Sequence, residues 1–199
     1  MALGMEKVHP ELASKIVAVI GDSTFFHSGM TGLVDQVYNG GTNTILLLDN
    51  SITAMTGHQH NPTTGFDAKG NPATAIDMVA LCKACGIEKV LVADPFDLSA
   101  FEAAVKEALN FDGPAVVISK RPCILLDKKS KFVPLAVDKD TCTGCKICLR
   151  VGCPALGAKT DADGKIKAFI DKAQCTACGM CAQACPHKAI DGAGAKEEK

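Results

Sequence analysis

An α/β domain with a parallel sheet, followed by a small cysteine-rich domain, is the architecture that the sequence predicts. Three observations carry it. Short apolar runs of strand length alternate with helical stretches through the first two thirds of the chain, the pattern of βαβ units. Eight of the eleven cysteines crowd into residues 142–185. Those eight form two copies of one motif, the first three cysteines of each repeating at an offset of 33 residues.

Residues 2–9 read as a short helix before Pro10. Ile16 to Ile20 is a continuous apolar run, four of its five residues β-branched, as suits a buried parallel strand, and Gly21 ends it. Residues 28–38 are predicted helical. Thr44 to Leu48 is a second buried strand ending at Asp49. The polar stretch from Asn50 to Pro72 is too long for an ordinary connection, which marks it as functional. A helix is predicted over Ala73 to Ala84, with Ile76, Val79, Ala80 and Leu81 among its apolar positions. Lys89 to Ala93 is a strand, Leu98 to Asn110 a helix with Asp97 as N-cap, and Pro114 to Ser119 a strand. These elements give an α/β domain over 1–125, a linker over 126–135, a cluster domain over 136–190 and a mobile tail of small and charged residues over 191–199.

Composition excludes several classes. The chain has 199 residues, 47% hydrophobic, with net charge −1 and no Trp. That leaves no electrostatic case for nucleic acid and no aromatic platform for bases. No apolar run approaches the ~20 residues that span a bilayer, and the first residues lack the basic and apolar regions of a signal peptide. Cluster cysteines must remain thiolates, which points to a reducing, cytoplasmic location.

The cysteine motifs read Cys142-x2-Cys145-x2-Cys148-x4-Cys153-Pro154 and Cys175-x2-Cys178-x2-Cys181-x3-Cys185-Pro186. In the bacterial two-cluster pattern the fourth cysteine of each run ligates the other cluster. Cys142, Cys145, Cys148 and Cys185 are therefore assigned to one [4Fe–4S] centre, and Cys175, Cys178, Cys181 and Cys153 to the second. Zinc also suits a single C-x2-C pair, but two consecutive steps plus Cys-Pro, twice over, favour iron–sulfur. The first run carries one residue more before its Cys-Pro, which lengthens the loop around Cys153. Ile147, Leu149, Val151, Met180 and Ile190 are the apolar residues expected to keep water off the sulfurs. His187 follows the second Cys-Pro and either tunes a potential or faces solvent.

A second site is expected at the carboxyl ends of the first two strands, where open parallel sheets bind ligands. Gly21-Asp22-Ser23 ends one strand; Asp49-Asn50 ends the next, Asn50 lying 28 residues after Asp22. A carboxylate and an amide oxygen are hard ligands for Mg²⁺, which usually also takes phosphate oxygens. Gly21 allows close backbone approach, and Ser23, Thr24 and a following helix N-terminus can receive phosphate. The plain alternative is a strand-ending turn.

This spacing resembles the diphosphate-binding motif of thiamine diphosphate enzymes. The stretches GDSTFFHSGMTGL and LDNSITAMTGHQHNPTTG, followed by a two-cluster ferredoxin-like module, further resemble the alpha subunit of the indolepyruvate ferredoxin oxidoreductase family, over residues 2–190. The resemblance implies thiamine diphosphate and Mg²⁺ as cofactors beside two [4Fe–4S] clusters. It makes Asp22, Asn50 and the backbone carbonyl of Ile52 the Mg²⁺ ligands, and Gly21, Ser23, Thr24 and Thr53 further cofactor contacts. It implies oxidative decarboxylation of an aryl 2-oxoacid with CoA, electrons leaving through the clusters to ferredoxin. Family alpha subunits are far longer. The chain is thus expected to begin inside the diphosphate-binding domain, without the pyrimidine-binding domain and its activating glutamate, and to need that region or partner subunits for turnover. His27 and His58, just beyond strand ends, are the candidate proton or substrate contacts, ordinary loop histidines being the alternative. His60 is a weaker candidate. Pyruvate or a branched-chain 2-oxoacid is an alternative substrate, and an electron-transfer-only subunit an alternative role. Cys82 and Cys85 form another C-x2-C, read as buried small hydrophobes rather than a redox pair, and Cys123 likewise. Lys120 and Arg121, and the cluster Lys128, Lys129 and Lys131, are read as solvated linker.

Overall fold

The structure, a computed structural model, describes residues 1–126 and 133–191. The chain divides into two compact units, residues 1–126 and 127–199. Lys128, Lys129, Lys131 and the tail beyond Asp191 lie outside the described residues.

In the first unit, α1 (Ala2–Val8) and a 3-10 turn lead into β1 (Val17–Gly21). Then come α2 (Asp22–Thr24), a π-helical turn (Phe25–Gly29), α3 (Met30–Tyr38) and β2 (Thr44–Asp49). α4 (Met78–Ala84), β3 (Lys89–Ala93), α5 (Leu98–Leu109) and β4 (Ala115–Lys120) complete the unit. The four strands form one parallel sheet in the order β1-β2-β4-β3. One face buries Ile45, Leu47, Val116 and Ile118 against Phe25, Leu33, Met78 and Cys82. The other buries Ala115 and Val117, with Leu46 and Leu91, against Phe101, Ala104, Val105 and Ala108 of α5.

The sequence expectation fails at three places in this unit. β1 is an edge strand, not a buried one: Val17 and Val19 lie in register with Thr44 and Leu46, beyond the strands that α5 covers, and Val19 is 60% exposed. An apolar run reads the same whether one or both of its faces are covered. Second, helix begins at Asp22 rather than at residue 28, Gly21 serving as an extended N-cap. The turn Phe25–Gly29 is wound wide, a form common near functional sites; a Cβ at Gly29 would collide with Ile20 of β1, so glycine lets the helix lie close on the strand. Third, α4 starts at Met78, not Ala73. The Asp77 side chain accepts from the backbone N–H groups of Val79 and Ala80, capping the helix there. Ile76 instead donates its N–H to the Pro62 carbonyl at 2.8 Å and is half-exposed.

α1 is tied down by one buried acid. Glu6 is 5% exposed. Its Oε1 accepts from the N–H and Oγ1 of Thr42, its Oε2 from the N–H and Nδ2 of Asn43. Burial raises its pKa, but the bonds from Asn43 and Thr42 outweigh that and hold it below 4.5. A depressed carboxyl pKa stabilises the fold above the unfolded value and loses that contribution as pH falls through the folded value. Glu6→Ala is expected to cost roughly 3 kcal/mol at neutral pH, because buried donors are left unpaired. In urea unfolding the gap to wild type should narrow below pH 4.5.

The second unit holds β5 (Ala136–Val137), a 3-10 helix (Ile147–Val151), β6 (Leu156–Thr160), β7 (Ile166–Ile170), α6 (Met180–Gln183) and β8 (Ile190–Asp191). β5 pairs with β8 and β6 with β7, both antiparallel. Asp191 pairs with Ala136, so the strand runs one residue into the segment expected to be tail. The core is made largely of the cluster cysteines: Cys142, Cys148 and Cys181 pack with Leu135, Ala168, Ala189 and Ile190. Leu149 joins them, whereas Ile147 is 41% exposed.

Candidate functional site

In the first unit, Gly21 is in register with Leu48, so the carboxyl ends of β1 and β2 stand side by side and carry Asp22 and Asp49 at one sheet edge. Both carboxylates are buried, Asp22 at 4% and Asp49 at 5% exposure. Asp22 Oδ1 accepts the Ser23 N–H at 2.6 Å, while its Oδ2 is buried without a hydrogen-bond partner. Burial first, and the neighbouring Asp49 charge, push the Asp22 carboxyl above its usual range, against the opposing pull of the Ser23, Asn61 and Ser51 N–H groups. A buried anion short of positive charge and holding one uncommitted oxygen fits a divalent cation.

The chain leaving β2 wraps tightly. Asp49 Oδ1 accepts the Ser51 N–H at 3.0 Å and Asn50 Oδ1 the Ile52 N–H at 3.1 Å. Ser51 adopts left-handed backbone, φ 59°. Ile52 is buried, and Thr53 exchanges backbone hydrogen bonds with Gln59. From the other side, Cys123 donates its N–H to the Asn50 carbonyl at 2.9 Å and Arg121 to the Asp49 carbonyl at 3.0 Å. Arg121, expected to be solvated linker, is therefore pinned to the site along with Cys123. The Arg121 side chain is an ion pair with Asp94 at 2.6 Å and lies over the Phe96 ring.

Of the residues expected here, Asp22, Asn50 and Ile52 fall at the two adjoining strand ends, Gly21 and Ser23 beside them. Thr24 and the candidate contacts His27 and His58 are exposed. His60 stacks on Phe66 instead. Three residues escaped the sequence reasoning: Asp49, Ser51 and Asn61. Asn61 is 6% exposed; its Oδ1 accepts from the N–H and Oγ1 of Thr63. The Asn-Pro-Thr-Thr run signals such a turn, but not that it folds back onto Asp22. Cys82 is fully buried and its thiol is pushed up to about 11, by burial first and then by Cys85 and Asp77. It packs as a small hydrophobe in the core, with Cys85 against it, as the sequence suggests.

In the second unit the two motifs fold alike. Gly144 and Ala177, and likewise Lys146 and Gly179, occupy equivalent positions 33 residues apart, and all four adopt left-handed backbone. At Gly144 a Cβ would run into the carbonyl of Ile166. The additional residue of the first run is absorbed by a longer helical turn that ends at Gly152, also left-handed.

The sulfurs assort crosswise. Cys142, Cys145, Cys148 and Cys185 line one cavity, walled by Val137, Ala168, Ala189 and Ile190. The Cys148 thiol is pushed up by burial, then by Cys185, Cys142 and Cys145. The Cys181 thiol is pushed up to about 11 by burial, then by Cys178, Cys175 and Cys153. Each set thus contains the fourth cysteine of the other run. Among the described residues no three Cys, His, Asp or Glu side chains converge closely enough to hold a single metal ion. Proton loss from such thiols needs metal charge beside them. Ala189 donates its N–H to Cys185 Sγ at 3.3 Å, the kind of bond that tunes a cluster.

Comparison with known proteins finds a match for each unit. Residues 1–119 match the family described as thiamine pyrophosphate enzyme, C-terminal TPP binding domain. The chain belongs to the thiamine pyrophosphate enzymes. Residues 135–195 of this thiamine pyrophosphate enzyme chain match the 4Fe-4S dicluster domain. Its curated relatives include indolepyruvate oxidoreductase subunit IorA of Pyrococcus horikoshii, 42% identical over 198 residues, 96% of this chain and 30% of the relative. The Archaeoglobus fulgidus subunit of that name is 40% identical over 185 residues, covering 90% and 29%. The resemblance to the indolepyruvate ferredoxin oxidoreductase alpha subunit therefore holds, and the chain spans about 30% of the length of these relatives. A solved structure of 2-oxoglutarate:ferredoxin oxidoreductase from Magnetococcus marinus shares the fold, with TM-score 0.54, 22% identity, and coverage of 61% of this chain and 43% of that one. No helix among the described residues is long and apolar enough to cross a membrane.

Proposed function

We propose that this chain is the part of a 2-oxoacid:ferredoxin oxidoreductase that holds thiamine diphosphate through Mg²⁺ and carries electrons away through two [4Fe–4S] clusters. The substrate is an arylpyruvate such as indolepyruvate. With CoA and two oxidised ferredoxins it yields acyl-CoA, CO2, two reduced ferredoxins and the proton of the CoA thiol. One observation carries this reading: a buried, cation-seeking carboxylate at a parallel sheet's carboxyl edge occurs on the same polypeptide as two crossed cysteine quartets. A decarboxylation site joined to one-electron carriers is the equipment for oxidative decarboxylation with a one-electron acceptor.

Thiamine diphosphate, when bound, supplies the carbanion chemistry that cleaves the bond to the carboxylate. The chain's own residues do the rest. Asp22, Asn50 and the Ile52 carbonyl hold Mg²⁺, and Asp49 adds negative charge beside them. The Asn50 and Ser51 turn, braced by Cys123, fixes those ligands in place. Leu135, Ala168 and Ile190 exclude water from the cysteines. Loop 53–66 contacts the substrate, and the remaining region or partner subunits complete the site in the cytoplasm.

The test is steady-state ferredoxin reduction by the assembled complex, with indolepyruvate, phenylpyruvate, pyruvate and a branched-chain 2-oxoacid compared. Arylpyruvates should lead in kcat/KM by roughly 10-fold or more. A lead for pyruvate would transfer the assignment to that substrate; reduction of ferredoxin by none of them would leave only an electron carrier.

A further inference from the structure

Two buried polar atoms of opposite character lie unpaired at the candidate metal site. Asp22 Oδ2 is an acceptor without a donor, and Asn61 Nδ2 a donor without an acceptor. The direction of the amide is not free. Its Oδ1 must face the Thr63 N–H, which can only donate, so Nδ2 is turned the other way, toward the Asp22 carboxylate. It stands close enough to lower that carboxyl's pKa, yet it completes no hydrogen bond of good geometry there. The turn that bears it is itself held: Thr64 donates its N–H and Oγ1 to the Asn61 carbonyl, and Ile76 donates to Pro62. Thr63 lines the same cleft as Asp49 and Ser51.

Burying both groups unpaired costs free energy. That cost is recovered only in a state that the free site does not reach. We propose that Asn61 is a positioning residue. When a divalent ion takes one oxygen of Asp22, the Asn61 amide closes onto the other, orienting the carboxylate and drawing the turn 61–64 shut over the site. Metal binding and closure of the loop between Thr53 and Thr64 are then reciprocal: the ion orders the loop, and the ordered loop holds the ion. The inference rests on the reading of Asp22 as a metal ligand.

The test uses the assembled complex with thiamine diphosphate present and Mn²⁺ as an EPR-visible stand-in for Mg²⁺. Mn²⁺ binding is measured for wild type, Asn61→Ala, Asn61→Asp and Asp22→Ala. Hydrogen exchange across residues 53–64 is followed with and without metal. Asn61→Ala should weaken Mn²⁺ binding about 10–100-fold, the range for residues that orient a ligand. Asn61→Asp keeps the oxygen that Thr63 needs but removes the donor facing Asp22. Its loop should exchange like wild type without metal and fail to gain protection when metal is added. Unchanged Mn²⁺ affinity in Asn61→Ala, or a wild-type gain of protection in Asn61→Asp, would overturn the proposal and reduce Asn61 to a turn former. Should Asn61→Ala fold poorly, Asn61→Asp decides alone. Retention of Mn²⁺ binding by Asp22→Ala would instead sink the metal-site reading itself, a separate result.

Discussion

Asp22→Asn should abolish thiamine diphosphate binding in the assembled complex and at the same time raise the melting temperature of the metal-free protein. The two effects have one cause. The Asp22 carboxylate is buried with a lone oxygen and pressed by Asp49, so without a cation its charge destabilises the fold. The amide keeps the bond from the Ser23 N–H and removes the repulsion. With Mg²⁺ and diphosphate the same charge is the main attraction, and its loss should weaken binding roughly 100-fold or more, about 2.7 kcal/mol. Calorimetric titration gives the affinity and a thermal melt of the metal-free protein gives the stability. Loss of binding together with a lower melting temperature would mean that Asp22 serves the fold rather than the ligand.

Cysteine replacements should show crossed ligation through pairs of variants rather than single ones. Cys142→Ala with Cys185→Ala strikes one set twice, so about four irons and four sulfides should remain per chain. Cys142→Ala with Cys153→Ala strikes both sets, and iron should fall toward zero. Ligation within each run would give the reverse outcome. The basis is the grouping of Cys148 with Cys185, Cys142 and Cys145, and of Cys181 with Cys178, Cys175 and Cys153. Metal analysis with EPR of the dithionite-reduced protein reads the result. Because the cysteines form much of the second unit's core, the double loss should also destabilise that unit, as metal loss does in other small domains.

The cluster domain was legible because its ligands are adjacent in sequence and their spacing is dictated by the geometry of a turn around a cubane. The left-handed backbone is less legible: Gly144 and Gly179 suit it, but their counterparts Ala177 and Lys146 adopt it without glycine. The parallel sheet was legible from runs such as Thr44–Leu48. The edge position of β1 was not, since strand order depends on which crossovers pack, and Val17 to Ile20 carries the same residues in either place. The start of α4 was misplaced because apolar spacing extends through Ile76, while a single capping bond from Asp77 overrides it. At the candidate site, Asp22 and Asn50 announce themselves by following strands directly. Asn61 does not, because its partner is reached across a loop that no local pattern describes.

The central claim is that electrons released at the Asp22 site leave through the cysteine quartets of the same chain. Freeze-quench EPR of the assembled complex, mixed with indolepyruvate and CoA, tests it most directly. Reduced [4Fe–4S] signals should grow in within turnover time, require thiamine diphosphate and Mg²⁺, and diminish when the Cys142 set is removed. Release of CO2 with both clusters still oxidised would contradict the account.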